Sequence, residues 1–251
     1  MRLEHLSWVE VKDYFENNNM ILLPIGSIEC HGKHMPLGTD YLIPQKIIDL
    51  LEPLTDILIT PVIPYGCTES LSRFPGTISL GQDVLLSLLN RVIAEFVRHG
   101  ARKVIVLNGH SGNGNTIEQA GLELRRQGGL LTMLNWWEMA EDFDPSLVAG
   151  HGGALETSAI LGIDPKLVKT ERIEEMNLVN PCDELIASDF FEVRFQGVRV
   201  PLYRFTNEVT QSGWIGSDHP KFASEEQGQQ ILQRTAEWIA EFIKAFKKVP
   251  L

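Results

Sequence analysis

Short, continuously apolar segments alternate with amphipathic ones along this chain. The apolar segments span 20–25, 57–63, 103–107 and 130–134. Runs of this kind are typical of strands that are buried on both faces, as they are in parallel sheets. Residues 82–99, by contrast, place their apolar side chains on one helical face and end at Gly100, a C-terminal cap. Strands separated by helices predict a mainly parallel sheet with helices on both faces.

Further helices are predicted at 115–126, at 154–161 and after the capping-box pair Ser224 and Gln227. Segment 190–205 differs, because charged and apolar residues are interleaved around Gly197, which predicts a β-hairpin outside the main sheet. The 251 residues suffice for one large α/β domain or two small ones, and no repeat or long linker interrupts them. We therefore predict a single domain over 1–251.

Charge and composition argue against several classes of protein. The formal charge of -11 argues against general affinity for nucleic acid, which needs clustered Lys and Arg. The chain has no run of about 18 apolar residues and no signal-peptide stretch, so we expect no membrane insertion and no secretion. Cys30, Cys67 and Cys182 are too few and too scattered for a disulfide framework or a structural zinc site. We expect a cytoplasmic protein.

Three candidate metal-coordinating residues follow the strand at 20–25. In proteins with a parallel sheet, bound molecules and ions lie beyond the carboxyl ends of the strands. In an extended loop Glu29 and His31 project the same way, and a turn containing Gly and Pro brings Asp40 back toward them. Carboxylate and imidazole ligands suit Zn, Mn or Fe. The alternative pairs Glu29 with Lys33, leaves His31 as an ordinary loop histidine and makes Asp40 the N-cap of the following helix. The presence of all three residues in one loop favours the metal site.

A second polar loop, Asn-Gly-His-Ser-Gly-Asn-Gly-Asn at 108–115, follows the strand at 103–107. Its glycines permit tight turns with positive φ, so that His110 stands at the strand end. His110 then faces the Glu29 loop if the two strands are parallel neighbours. The alternative is a glycine-rich phosphate cradle, but the loop lacks both the GxGxxG spacing and a P-loop lysine.

A third candidate segment, at 151–158, contains His151 in a flexible turn and Glu156 at the start of a helix. The Glu156 carboxylate can complete a two-metal site or act as a base. Its alternative role is to complement the helix dipole.

Two possible nucleophiles lie beside these ligands. Cys30 stands between Glu29 and His31, but it faces the other way, which indicates a packed thiol. Ser111 directly follows His110 without a G-x-S-x-G elbow, so a serine triad is not predicted.

Trp136 and Trp137 follow the strand at 130–134, again at a carboxyl end. We consider these tryptophans and His34 as candidates for substrate contact. Ordinary packing is the more common role of such residues.

Together these segments resemble the creatininase family of amidohydrolases. The residues that carry the resemblance are LPIGSIECHGKHMPLGTD (23–40), NGHSGN (108–113) and HGGALETS (151–158), with PGTISL (75–80) and the stretch from Gly213 to Ala223. The resemblance runs from the first strand to the last helix. It implies a three-layer α/β/α sandwich, a binuclear metal centre and assembly into homohexamers.

The resemblance also implies roles for the candidate residues. Glu29 and His110 would bind one divalent metal ion, His31 would bind the other, and Asp40 would bridge them. His151 matches a histidine that transfers protons.

The chain departs from creatininase itself at one ligand. Creatininase carries a glutamate two residues after the histidine of the second motif, and Gly112 stands there in this chain. One metal is left short of a protein ligand, and Glu156, which matches an acidic residue near the centre, or water fills that place.

The predicted function is hydrolysis of a non-peptide, cyclic amide C–N bond in a small molecule by a metal-activated water. His151 would then donate a proton to the leaving nitrogen. Alternatives within the family are a formamide deformylase and a peptide-trimming hydrolase. A phosphoesterase would need basic residues near the site, where only Lys33 and Arg73 are close in sequence. The remaining alternative is a non-catalytic module that binds metal or a small molecule.

Overall fold

The computed structural model describes residues 1–251 and contains two β-sheets. The strands of the main sheet are β1 (Met20–Ile25), β2 (Leu58–Ile59), β3 (Lys103–Asn108) and β4 (Leu130–Asn135). They lie in the order β2-β1-β3-β4, and every neighbouring pair is parallel. The mainly parallel sheet predicted from the sequence is confirmed.

The chain forms eight α-helices. They are α1 (Trp8–Asn17), α2 (Thr39–Leu51), α3 (Gln82–His99), α4 (Gly114–Arg126), α5 (Trp136–Phe143), α6 (Ala154–Ile163), α7 (Thr206–Val209) and α8 (Glu225–Lys247). The predicted helices are present, with ends displaced by two residues at most. None of the eight combines the length and the apolarity that crossing a bilayer requires.

Helices cover both faces of the main sheet because successive strand residues point to opposite faces and both sets are apolar. Leu22 and Ile105 pack into a core with α2, α5, α6 and α8. Ile21 and Val104 pack into a second core with α1, α3 and α4. The three-layer α/β/α sandwich implied by the resemblance is confirmed.

The predicted strand at 57–63 is shorter than expected, since only Leu58 and Ile59 are regular strand. β2 lies at the edge of the sheet, where a proline such as Pro61 is tolerated although it has no N–H to donate. The chain beyond Pro61 still runs beside β1, because the Gly26 N–H donates to the Ile63 carbonyl at 2.9 Å.

A small antiparallel sheet occupies the region of the predicted hairpin. Its strands are β5 (Ile186–Asp189), β6 (Glu192–Phe195) and β7 (Val198–Pro201), in that order. Gln196 and Gly197 join β6 to β7 with φ of 48° and 83°, and positive φ at both positions is the requirement of a type I′ hairpin turn. The hairpin is confirmed, and β5 is an additional strand that the sequence pattern did not predict.

Helices α6 and α8 approach so closely that their backbones touch. A Cβ atom at Gly228 of α8 would lie 1.7 Å from the carbonyl oxygen of Ser158 in α6. The Ser158 hydroxyl also accepts a hydrogen bond from the Ser224 backbone N–H at 2.9 Å. This contact fixes the position of α6, which carries Glu156 near its first turn.

We predict that Gly228→Ala destabilises the protein by about 3 kcal/mol, because the added methyl forces α6 and α8 apart. Urea unfolding followed by circular dichroism measures the change. The matched control is Gly114→Ala at the start of α4, where the nearest atom, Met133 Cε, is 4.0 Å from the added Cβ. Equal stability of the two variants would contradict the close α6–α8 contact.

Candidate metal centre

Two loops leave the main sheet side by side at its carboxyl edge. β1 and β3 are parallel neighbours, and Ile25 pairs with Asn108 at their last residues. The chain after Ile25 contains Glu29 and the chain after Asn108 contains His110, so both side chains enter the same volume.

Six ionisable side chains cluster there. Asp40 lies at the middle, with Oδ1 at 2.9 Å from His31 Nε2 and Oδ2 at 3.0 Å from His110 Nδ1. Glu29 Oε1 is 3.3 Å from His110 Nδ1, and Glu156 Oε2 is 3.7 Å from His31 Nε2. Three overlapping sets of three side chains could hold a metal ion: Glu29 with Asp40 and His110, His31 with Asp40 and Glu156, and Glu29 with His31 and His151. We refer to the first two, which share Asp40, as the two ligand groups. In each group, the ligand atoms lie within 4.8 Å of one another.

Each of the three imidazoles also contacts a backbone carbonyl. The contacts are His110 Nε2 to Cys67 O at 2.9 Å, His31 Nδ1 to Glu29 O at 3.2 Å and His151 Nε2 to Cys30 O at 2.6 Å. A carbonyl oxygen only accepts, so the ring nitrogen that faces it carries the proton. In the neutral imidazole, the other nitrogen then presents its lone pair to the cluster, as in ligating histidines.

Two glycines let Asp40 reach the strand ends. A Cβ atom at Gly26, after β1, would lie 2.2 Å from the Asp40 carbonyl oxygen, and one at Gly109, after β3, would lie 2.1 Å from it. The first turn of α2 therefore rests directly on both strand ends. The expectation of positive φ in the second loop is wrong, because its glycines keep negative φ and serve close approach instead.

The structure explains the glycine at position 112. A Cβ atom on Gly112 would lie 2.3 Å from the Cys67 carbonyl oxygen and 2.5 Å from His110 Nε2. A glutamate there would displace the hydrogen bond that orients His110. The Glu156 carboxylate approaches His31 and Asp40 from α6 instead, and it completes their group.

Two buried asparagines that the sequence reasoning missed hold the second loop. Asn113 accepts from the Cys67 N–H at 2.9 Å and donates to the Gly26 carbonyl at 3.1 Å. Asn108 accepts from the His110 N–H at 3.1 Å. Their position on either side of His110 could have indicated this role. Asparagine is also a common turn residue, so the sequence alone does not distinguish the two roles.

Charge coupling shifts the ionisation of the central groups. Burial disfavours the charged imidazole of His31, but the Asp40 and Glu156 carboxylates outweigh burial and raise its pKa to about 10. Burial is likewise outweighed at His110 by Glu29 and Asp40, which hold its pKa well above 6.5. The pKa of Asp40 is lowered, since His31 and His110 overcome the effect of its burial. The carboxylates thus draw positive charge into the cluster.

The pKa values of Glu156 and His151 shift in the opposite directions, with the carboxyl pKa raised and the imidazole pKa lowered. Burial raises the pKa of Glu156 to about 7, against the attraction of His31. Burial, followed by the positive charge of His31, lowers the pKa of His151 to about 4. His151 therefore favours the neutral form, although it stacks on His31 with ring centroids 4.4 Å apart.

The cluster fits divalent metal ions. Glu29 is fully buried, and neither of its carboxylate oxygens has a hydrogen-bond partner. A buried carboxylate without donors is costly unless it pairs with a charge or coordinates a metal. Mixed carboxylate and imidazole ligands suit Zn, Mn or Fe. A cation would supply the positive charge that protons otherwise bring to the histidines.

A cavity of about 530 Å³ opens above the cluster. Part of its wall comes from Trp137 of α5 and part from Ser188, Asp189 and Phe190 at the β5–β6 turn. The Phe190 ring packs edge-on against His151, with centroids 5.1 Å apart. The small antiparallel sheet therefore forms one side of the cavity.

Two of the three residues predicted to contact substrate do not line the cavity. Trp136 is 0% exposed in the core beneath α5, so it cannot reach a molecule in the cavity. His34 is buried, and its Nε2 contacts the Thr157 hydroxyl at 3.1 Å, so it links the first loop to α6. Trp137, the next residue of the helix, does line the cavity.

The alternatives raised for Glu29 and Cys30 are settled by their surroundings. Lys33 pairs with Glu174 at 2.7 Å, not with Glu29. Cys30 is a packed thiol, as predicted, and burial raises its pKa to about 11. No lysine or arginine lines the cavity, which argues against a phosphoesterase.

Comparisons with known proteins agree with this geometry. The profile of the creatininase family, described as creatinine amidohydrolase, matches residues 4–243. A creatinine amidohydrolase from Pseudomonas putida is 29% identical, over 95% of this chain and 94% of its own. A mycofactocin precursor peptide peptidase from Mycobacterium tuberculosis (strain CDC 1551 / Oshkosh) is 31% identical, over 87% of this chain and 85% of its own.

Solved creatininases share the fold. A crystal structure of creatinine amidohydrolase superposes with a TM-score of 0.76 at 26% identity, covering 99% of this chain and 98% of that one. A structure described as creatininase Mn gives a TM-score of 0.76 at 25% identity and covers 99% of both chains. A variant of Zn–Zn type gives the same TM-score and identity, covering 99% of this chain and 98% of its own. The chain therefore belongs to the creatininase family of metal-dependent amide hydrolases.

Proposed function

We propose that this protein is a single-domain hydrolase, over 1–251, that holds two divalent cations and cleaves a non-peptide, cyclic amide C–N bond in a small molecule. The observation that carries the proposal is the pair of ligand groups that share Asp40 beneath the cavity. Zn, Mn and Fe all suit the ligands, and creatininases described with Mn and with Zn support the first two.

Each cation would have three protein ligands. Glu29, Asp40 and His110 would hold one, and His31, Asp40 and Glu156 would hold the other. Cations bound there supply the charge that acidifies water and polarises the amide carbonyl. Glu156 is proposed as a ligand rather than a base, because its group lacks a third ligand without it. The Gly152 N–H orients its carboxylate at 2.7 Å.

His151 is proposed to move the proton. Its Nε2 is engaged with the Cys30 carbonyl, so Nδ1, which lies 3.6 Å from Glu29 Oε1, is the atom that faces the reaction. The neutral imidazole takes a proton from the attacking water as the C–O bond forms. It then delivers that proton to the leaving nitrogen as the C–N bond breaks. This order refines the expectation from sequence, which named only the donation.

A peptide-trimming activity is the second candidate. It is favoured by the 31% identity to the mycofactocin precursor peptide peptidase, slightly above the 29% identity to creatinine amidohydrolase. Metal analysis of the purified protein, followed by a screen of cyclic amides, formamides and short peptides, decides between the candidates. The absence of hydrolysis of all three classes by fully metal-loaded protein would contradict a hydrolytic role.

Assembly and location are proposed from the family resemblance. We propose a cytoplasmic homohexamer that acts on small-molecule amides and binds neither nucleic acid nor membranes. Light scattering coupled to size-exclusion chromatography measures the oligomer. A monomer at micromolar concentration would contradict the hexamer.

We predict that Asp40→Asn lowers turnover more than about a hundredfold and lowers bound metal, because both ligand groups lose their shared carboxylate. Metal content is measured by mass spectrometry and turnover on the best substrate of the screen. The control is Asp142→Asn, at an exposed position on α5. Full metal content with normal turnover in Asp40→Asn would refute the bridging role.

We predict that His151→Ala keeps its metal but loses about a hundredfold in kcat, the usual contribution of a positioned acid–base group. His5→Ala, which changes an exposed histidine near the N-terminus, serves as control. If His151→Ala instead loses metal in proportion to its loss of rate, His151 is a ligand and the proton-transfer role is wrong.

We predict that chelation with EDTA lowers the Tm by about 5–10 °C. Metal present at a hundred times its Kd stabilises the folded state by about 2.7 kcal/mol, and each kcal/mol shifts a domain of this size by about 2–4 °C. Differential scanning calorimetry gives the shift, and Zn or Mn should restore the Tm. The Asp40→Asn variant should show little change. An equal shift in that variant would contradict the assignment of the centre.

A further inference from the structure

A fourth acidic residue lines the cavity outside the metal centre. Asp189 is the last residue of β5, and it lines the cavity beside Phe190. The Phe190 backbone N–H donates to its Oδ1 at 2.7 Å and holds the side chain at the β5–β6 turn. The carboxylate makes no other hydrogen bond and no ion pair within the chain, so it is available to a bound molecule.

The cavity is lined by acidic side chains and by no lysine or arginine. Glu29, Asp40 and Glu156 belong to the two ligand groups, so cations would compensate their charge. No lysine or arginine lines the cavity, and Lys33 is already paired with Glu174. Asp189 is therefore the one charge on the wall that neither a cation nor a basic side chain neutralises.

Two aromatic side chains line the same cavity as Asp189. Phe190 follows it directly, and Trp137 lines the cavity from α5. Aromatic faces attract cations, and a carboxylate beside them adds direct charge pairing. Because Phe190 also packs against His151 at 5.1 Å, a group bound here lies close to the proposed proton-transfer residue.

We propose that Asp189, together with Phe190 and Trp137, binds a positively charged group of the substrate. The preferred substrates are then amides that carry an ammonium, amidinium or guanidinium group. This inference rests on the proposed function, because it describes the substrate of that same centre. The competing explanation is that Asp189 serves only the turn, in which case its replacement alters stability without changing charge preference.

Binding of hydroxamates to the zinc-loaded protein tests the proposal without requiring turnover. Hydroxamates chelate metal centres, so the hydroxamates of β-alanine, propionate and succinate compare cationic, neutral and anionic tails on one anchor. The γ-aminobutyrate, butyrate and glutarate series extends the tail by one carbon. In the better-binding series, calorimetry should find the cationic compound about fivefold tighter than the neutral one, and the anionic one weakest.

Variants at Asp189 assign the preference. Asp189→Asn should bring the cationic compound to the affinity of the neutral one and leave the neutral one unchanged. Asp189→Lys should make the anionic compound the tightest of the three. The matched control is Asp183→Asn, an exposed aspartate that precedes β5 and does not line the cavity. Its preferences should match the wild type.

The outcomes separate this proposal from the proposed function. If all three compounds bind equally, or if Asp189→Asn keeps the cationic preference, Asp189 is not the anchor and the metal centre stands. If no hydroxamate binds, the metal centre is wrong and the anchor, which rests on it, falls too. Loss of affinity for all three compounds in Asp189→Asn with a lowered Tm would show a turn role only.

Discussion

Burial of carboxylates at the carboxyl edge of the main sheet is the constraint on which the site depends. Glu29 is 0% exposed and Asp40 is 2% exposed, and buried charges of this kind must be paired or bound to metal. The nearby carboxylates raise the pKa values of His31 and His110, which indicates how strongly the cluster attracts positive charge. A metal ion bound there would couple to folding for that reason, since its positive charge would offset the cost of burying the carboxylates.

The register of β1 and β3, together with close backbone packing against α2, determines where the clustered side chains lie. The paired ends of β1 and β3 place Gly26 and Gly109 side by side, and both contact the Asp40 backbone, where a Cβ atom could not fit. Asp40 is therefore held by main-chain contacts as well as by charge. A ligand held by packing loses little conformational freedom when it binds a metal, so the shared position between the two ligand groups is well organised in advance.

The sequence predicted the parts of the structure that depend on residue type and spacing. Continuous apolar runs identified the parallel strands, and Glu29, His31 and Asp40 were grouped as candidate ligands because they share one loop. Prediction failed where the outcome depends on three-dimensional contacts. Trp136 and Trp137 both follow β4, and only the phase of α5 decides that the first is buried and the second lines the cavity. Glycine likewise reads as a flexible turn residue until the atoms that crowd it are known.

The two sheets contribute different parts of the site. The main sheet and α6 supply the ionisable cluster, whereas the β5–β6 turn supplies a wall that contacts His151 through Phe190. A wall built on a small separate sheet can change its side chains without disturbing the ligands, because its residues are not part of the main core. Within the centre, the Cys67 carbonyl and the His110 ring leave no room for a side chain at position 112, and the Glu156 carboxylate approaches His31 and Asp40 from α6. Substrate preference can therefore vary among proteins of this fold while the metal chemistry stays constant.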